Sequence, residues 1–257
     1  MFSGNPAEVV LVERCLDGLE RQPELDYPGA IAICGPKGGE GLFRSRPRLK
    51  YLEYDERDAD GRFLVGRKKN FLISALKANR VAVLHARLVL DDNALSRVPN
   101  EFDIMAPNVE VVEFGARRPY LSLCFSDSGI LGVMPTRAPR STRNTRSSDL
   151  LDLYRHGPPY VDGGGFFVMK RVHETLPLSD KIAWGEGEDV EWCARGAALG
   201  FVAELAVDAR AVSQTNKLRA RRVLYEGSMF ILLRTIEWAR MAMAGLIHAF
   251  NVGVGRR

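Results

Sequence analysis

Apolar and polar positions alternate along this chain in two periods, one helical and one extended. Val9, Val10, Val12, Leu16 and Leu19 recur at helical spacing between Pro6 and Gln22, with Glu8, Glu13 and Arg14 on the other side, and predict a helix. Gly29 to Cys34 is a short apolar run closed by Gly35-Pro36-Lys37-Gly38-Gly39, which predicts a buried strand followed by a loop. Leu49 to Tyr54 predicts a second strand, and Asp55 to Gly61 a charged turn. Arg67 to Asn79 predicts a helix with Phe71, Leu72, Ala75 and Leu76 inward, and Val81 to Leu84 a central strand. This alternation predicts an α/β layer built on a mostly parallel sheet. No internal repeat is present.

Further along, Gly163-Gly164-Gly165 runs into the apolar strand Phe166-Phe167-Val168-Met169. Three glycines carry no Cβ, so the backbone can approach a ligand closely; a simple bulge would explain them too. After a variable loop comes Trp184-Gly185-Glu186-Gly187-Glu188-Asp189-Val190-Glu191-Trp192-Cys193-Ala194-Arg195. Here two adjacent carboxylates, Glu188 and Asp189, open a helix on which Val190, Cys193, Ala194 and Ala197 recur at helical spacing. Unpaired N–H groups and the macrodipole keep an acid at a helix N-terminus ionised. Such a carboxylate suits a general base that takes a proton from a hydroxyl; a capped helix with a solvated first turn is the alternative.

Composition narrows the picture. The chain has 257 residues, 46% hydrophobic and 26% charged, as expected of a globular protein, and its length suits one large α/β domain or a domain plus a short appendage. Its four cysteines, Cys15, Cys34, Cys124 and Cys193, form no CxxC pair and sit among apolar neighbours, which predicts buried free thiols in a reducing compartment. The start has no charged-then-apolar secretion pattern, and no apolar run reaches the ~18 residues of a membrane span. A net charge of +4 suits anionic ligands without requiring nucleic acid.

From Asp162 to Phe201 the spacing resembles the acceptor half of GT-A glycosyltransferases, family 2 above all: a "GGxFxxxR" strand, a loop, then "GEDxExxxRxxxxG". Val12 to Gln22 is similar to that family's first helix, and Lys69-Asn70 with Ala75 to the helix that lies near the donor phosphates. The resemblance implies a GT-A Rossmann-like α/β/α sandwich over residues 1–215, followed by C-terminal helices over 216–257. It implies transfer of a sugar from a nucleotide-diphosphate sugar to an acceptor hydroxyl, with inversion, in surface polysaccharide or glycoconjugate biosynthesis. It assigns Asp189 as catalytic base and Glu188 as its companion. Lys69, Asn70, His85 and Arg87 fall to the donor diphosphate, and Gly163, Gly164, Gly165 and Trp184 to the acceptor or sugar.

Two departures stand out. The family begins with a strand and a base-binding loop, whereas Met1 lies almost at the first helix. The family's Asp-x-Asp, which holds a divalent cation, is replaced by His85-Ala86-Arg87. A guanidinium cannot ligate a cation, but it can neutralise a diphosphate through paired N–H···O contacts. His85 could ligate a metal, bond a phosphate or simply end a strand. The Asp91-Asp92 pair reads as a turn or cap. Where the family often has a further histidine ligand, this chain has Ser213-Gln214. Mn2+ or Mg2+ dependence therefore stays open.

Two stretches lie outside the resemblance. Pro135 to Asp149 carries Arg137, Arg140, Arg143 and Arg146 at three-residue steps, as either a solvated loop or a lid over an anionic donor. No aromatic residues interleave those arginines, which argues against a nucleic-acid partner. Lys217, Arg219, Arg221 and Arg222 precede a helical apolar pattern from Val223 to Phe250 that is too charged to span a bilayer. It suits either an anionic membrane surface, with a lipid-linked acceptor, or packing on the domain. The expected location is the cytoplasm, at or near the inner membrane face. The competing expectation is a catalytically impaired relative that binds a glycan or scaffolds an assembly.

Overall fold

A computed structural model describes residues 6–54, 61, 63–125, 159–184 and 187–216. The arginine-rich segment 135–149 and the tail from 217 onward lie outside the described residues. The elements in order are α1 (Pro6–Glu20), β1 (Ile31–Gly35), β2 (Leu49–Glu53), α2 (Val65–Ala75), β3 (Arg80–Leu84), β4 (Leu88–Leu90), β5 (Ile104–Glu113), β6 (Ala116–Pro119) and β7 (Leu123–Phe125). They continue with β8 (Pro159–Val161), β9 (Gly165–Met169), α3 (Lys170–Thr175), α4 (Glu188–Ala198) and β10 (Ala203–Ser213). Among the described residues, each element expected from periodicity is present, within a few residues of its expected ends; the helical pattern from Val223 to Phe250 lies outside them.

The six-stranded sheet has the order β3-β9-β5-β10-β4, with β6 along the far half of β5. β1 and β2 form a separate parallel pair, and β7 and β8 an antiparallel one. The sheet is mixed, and this corrects the expectation of a mostly parallel one. Only β5 and β10 are paired in parallel within it, among the described residues. β9 runs opposite to both β3 and β5, and β4 opposite to β10. A short apolar run reads alike in either direction, so strand direction follows from the connections, which local pattern does not encode. For the same reason β3 is not central: among the described residues it ends the hydrogen-bonded order.

The core lies along β9, β5 and β10, with Phe166, Val168, Ile104 and Ala106 inside. Trp192 on α4 is fully buried, 5.1 Å from the Phe166 ring, and its Nε1–H donates to the Leu176 carbonyl at 2.8 Å. This contact joins α4 to the sheet. The helix faces need three corrections. Val10 is exposed on α1, whose inner face carries Val12, Cys15 and Leu16. Phe71 is largely exposed on α2 and packs beside Tyr54. The inner face of α4 is Glu188, Trp192, Cys193 and Gly196, with Ala194 and Ala197 outward. Each helix is rotated by what it must reach, and on α4 that includes an acid. All four cysteines are buried free thiols. Burial pushes Cys15 up to about 11 and Cys193 to about 12, so neither is a nucleophile at neutral pH.

α2 abuts the loop that follows α3. A Cβ on Gly66 would strike the Ser179 backbone carbonyl. Backbone cannot swing aside as a side chain can, so Gly66→Ala is expected to cost about 1–3 kcal/mol, read as a lowered midpoint in urea. An unchanged midpoint would show that α2 and this loop are not packed together. Among the described residues, no helix is long and apolar enough to cross a membrane.

Candidate active site

The sheet places the expected residues around one turn, Asp162-Gly163-Gly164, between β8 and β9. His85 follows β3, and its N–H donates to the Gly164 carbonyl at 2.8 Å, extending the β3–β9 ladder by one rung. Two residues later Arg87 turns inward and is almost wholly buried. Its Nη2 donates to Asp162 Oδ2 at 2.8 Å and its Nη1 contacts His85 Nδ1 at 3.2 Å. A guanidinium can only donate, so His85 Nδ1 accepts and the imidazole carries its proton on Nε2. Arg87 Nε is buried and has no partner among the described residues. Asp162 Oδ2 also accepts from the Gly164 N–H at 3.1 Å.

On the other side of the turn stand the two acids that open α4. Gly187 precedes them at φ 82°, a left-handed conformation that glycine adopts without strain. Asp189 Oδ2 accepts from the Gly163 N–H at 2.7 Å and Oδ1 from the Val190 N–H at 2.9 Å. Glu188 is buried and takes Lys69 Nζ at 2.9 Å. Lys69 comes from α2, is fully buried, and lies 5.5 Å from the centre of the Phe166 ring. Burial first, then the neighbouring Glu188, pushes Asp189 up to about 6, against the opposing pull of Lys69. An acid of that strength is half ionised just below neutral pH, a suitable poise for a general base.

The three glycines serve close approach. A Cβ on Gly163 would lie 2.8 Å from Glu188 Oε1, 3.0 Å from Asp189 Oδ2 and 3.0 Å from Lys69 Nζ. A Cβ on Gly164 would overlap the Arg87 guanidinium, and one on Gly165 the Leu88 side chain. At Gly163 and Gly164 the space left by the absent side chain is thus occupied by charged groups of the site itself, and at Gly165 by the core.

Glu188, Asp189, Lys69, Arg87, His85 and the glycines are therefore brought together. Asn70 and Trp184 are not part of this cluster. The Asn70 amide donates to the Leu178 carbonyl at 2.8 Å and accepts from the Leu178 N–H at 3.0 Å, with His173 Nε2 at 3.1 Å from the same oxygen. It ties α2 to the loop beyond α3. Trp184 is exposed on the loop before α4, and its backbone N–H donates to the Phe63 carbonyl. Asp162 is the residue that sequence reasoning passed over. Its signal was an acid directly between an apolar strand and a triple glycine.

The residues at the family's cation position do not fit a metal. Arg87 fills it, and its charge already meets Asp162. Among the described residues, no cluster of three or more His, Cys, Asp or Glu has metal-holding geometry. Gln214, near where the family carries a histidine, spends its amide on the Leu11 and Ala86 carbonyls, each at 3.0 Å.

No protein-family model matches this chain, and no curated protein does. Solved structures do. GalNAc-T7, crystallised with UDP, GalNAc and Mn2+, overlays with a TM-score of 0.58 at 11% identity, over 79% of this chain and 41% of that one. This chain thus spans about two fifths of the GalNAc-T7 chain. A mannosyltransferase from Pyrobaculum calidifontis, in complex with GDP-Man and Mn2+, matches more loosely, with a TM-score of 0.49 at 14% identity over 100% of this chain and 79% of that chain. An inositol-1-phosphate CTP transferase from T. maritima follows, with a TM-score of 0.41 at 12% identity over 88% and 82%. The likeness establishes the fold, a GT-A-type Rossmann-like α/β architecture.

Proposed function

We propose that this protein is a glycosyltransferase of family-2 type that moves a sugar from a nucleotide-diphosphate sugar to an acceptor hydroxyl with inversion. The observation that carries the reading is the single turn, Asp162 to Gly164, that gathers a poised acid, Asp189, and a buried cation, Arg87, on a GT-A fold. In the reaction Asp189 accepts the hydroxyl proton as the acceptor oxygen bonds to the sugar carbon. The bond from that carbon to the diphosphate breaks on the opposite side, and its electrons leave with the diphosphate. Arg87 and Lys69 would offset that charge, which is the largest catalytic task in such a transfer. Glu188 holds Lys69 in place. Asn70 supports the α2 end of the site through Leu178. Gly163 to Gly165 and Trp184 would form the acceptor side. A role in polysaccharide or glycoconjugate assembly fits this chemistry.

Arg87 gives the sharpest test. Adding chelator should leave transfer largely intact, and Arg87→Ala should weaken nucleotide-diphosphate binding by about 1.5–3 kcal/mol, tenfold to a hundredfold, in thermal-shift titrations with and without Mn2+. Complete inactivation by chelator, restored by Mn2+, would overturn the substitution of arginine for cation.

One observation favours a second reading, a non-catalytic glycan-binding relative. Lys69 pairs with Glu188 and Arg87 with Asp162, so both cations already have partners. Hydrolysis of any member of a nucleotide-sugar panel would exclude that reading.

A further inference from the structure

Phe114 and Gly115 close the β5–β6 hairpin. Glu113 pairs with Ala116 across it, so the loop is two residues long. Both loop residues have a left-handed backbone, Phe114 at φ 51° and Gly115 at φ 77°. That backbone belongs to the mirror-image turn whose twist matches the flanking strands, and the turn favours Asn-Gly or Gly-Gly. A bulky side chain is strained at its first position, because the Cβ crowds the following carbonyl. The other non-glycine residue with such a backbone among the described residues is Asn93, a type that tolerates it. Packing does not offset the strain at Phe114, which is 91% exposed. Val112, two positions earlier on the same strand, is 55% exposed. An aromatic residue that neither relaxes its turn nor fills a core has its use outside the fold.

We infer that this hairpin tip docks on an anionic membrane surface, with the Phe114 ring entering the boundary between headgroups and acyl chains. The charge beside the ring is positive. Ala116 to Pro119 is exposed throughout and carries Arg117 and Arg118. Arg117 is partly offset by Asp91 at 2.8 Å and Glu110 at 3.6 Å, and Arg118 lies exposed next to it. Glu113 accepts from the Asn216 amide, which brings position 216 to the base of the turn. From there the sequence continues with Lys217, Arg219, Arg221 and Arg222. Anionic lipid attracts such a cluster, and a phenyl ring gains by leaving water at the interface. Shape and edge chemistry argue against a protein partner. A stable protein interface covers about 800 Å² on each side, whereas the exposed apolar groups here are one ring and Val112. The two arginines and Pro119 blunt β6 against pairing with a second copy. A fluid bilayer needs no matching pocket for a lone convex wedge. The Gln214 N–H donates to the Arg87 carbonyl at 2.7 Å, so docking also turns the candidate site's end of the sheet toward the membrane. Membrane binding does not depend on the glycosyltransferase reading.

The test is cosedimentation of the full chain with vesicles of phosphatidylcholine, alone or mixed in equal parts with phosphatidylglycerol. The parent should bind the mixed vesicles, bind the neutral ones far less, and come off at high salt. Phe114→Asn should lower the partition coefficient by about tenfold to a hundredfold, the loss expected when one buried ring is removed. The same variant should raise Tm by about 2–4 °C, because asparagine relaxes the turn. These opposite signs separate a docking residue from a packing one. Phe114→Trp should bind as tightly as the parent, and lipids brominated on the acyl chain should quench its emission more than they quench the parent's. Arg118→Glu should weaken binding by about fivefold or more without lowering Tm. A parent that ignores the mixed vesicles would overturn the proposal, as would binding left intact by Phe114→Asn, since the tail would then account for it. A lowered Tm in Phe114→Asn would do the same, by showing that the ring packs within the chain.

Discussion

Asp189→Asn is expected to give a folded protein that is more stable than the parent and transfers sugar slower by a factor on the order of 10² or more. The single amide oxygen can still accept the Gly163 N–H, so the turn keeps its shape, while the amide nitrogen takes the other oxygen's place and the Val190 N–H bond is given up. It cannot take a proton. The stability gain follows from the raised pKa. Folded Asp189 titrates at about 6 against 3.8 for the ordinary group, chiefly because it is buried. Between these values the folded state holds the extra proton, so stability falls as pH rises from about 4 to about 6. Above pH 6 the full cost of a buried, ionised Asp189 is present, and asparagine removes it. A gain of roughly 1–3 kcal/mol at pH 8, shrinking to nothing near pH 4, should appear in urea titrations. In the parent, kcat/KM should climb with pH along a limb centred near 6, and that limb should vanish in the variant. Near-normal transfer by Asp189→Asn would remove this residue from the mechanism. A stability difference that ignores pH would refute its buried titration.

Lys69→Met should be the most destabilising single change in the site. Lys69 is fully buried and bonds Glu188 at 2.9 Å, while its charge also opposes the rise in Asp189. Methionine keeps the stem but removes the ammonium that lies by the Phe166 ring, and it strands Glu188 inside the protein beside a second acid. Breaking a buried pair from one side costs about 3–5 kcal/mol, so Tm should drop by on the order of 10 °C. The double variant Lys69→Met with Glu188→Leu removes both charges and should recover most of that loss. Calorimetry on the parent, both single variants and the double variant measures the coupling directly. Additive losses would mean that the pair carries no energy of its own. On the proposed mechanism transfer should stay lost in the double variant, because Lys69 would also offset the charge of the leaving diphosphate.

Much of the fold was legible locally. α1, α2, β1, β2 and β3 all stand where periodicity put them, because a helix stripe or an apolar run reports what lies under it. The helical start at Glu188 was visible from the left-handed glycine and two acids ahead of Trp192. The misjudged faces have a common cause. Phe71 and Val10 are apolar yet exposed, while Lys68, Lys69 and Glu188 are charged yet buried. A pattern read by polarity alone must assign such residues to the wrong side.

In the site, the chain by itself determined the inventory: two acids opening a helix, three glycines before a strand, and an arginine where a carboxylate was expected. It could not show that the glycines make room for the arginine and the acids, since that depends on elements 26 and more residues apart in sequence. Asp162 went unnoticed because a lone acid gains meaning only from its partner, and that partner arrives from β3 through the antiparallel β3–β9 pairing. Strand direction, and with it the mixed sheet, was likewise decided by tertiary structure. Side-chain alternation has the same period whichever way a strand runs. Direction is set by the connections, and partners by which edges those connections bring together.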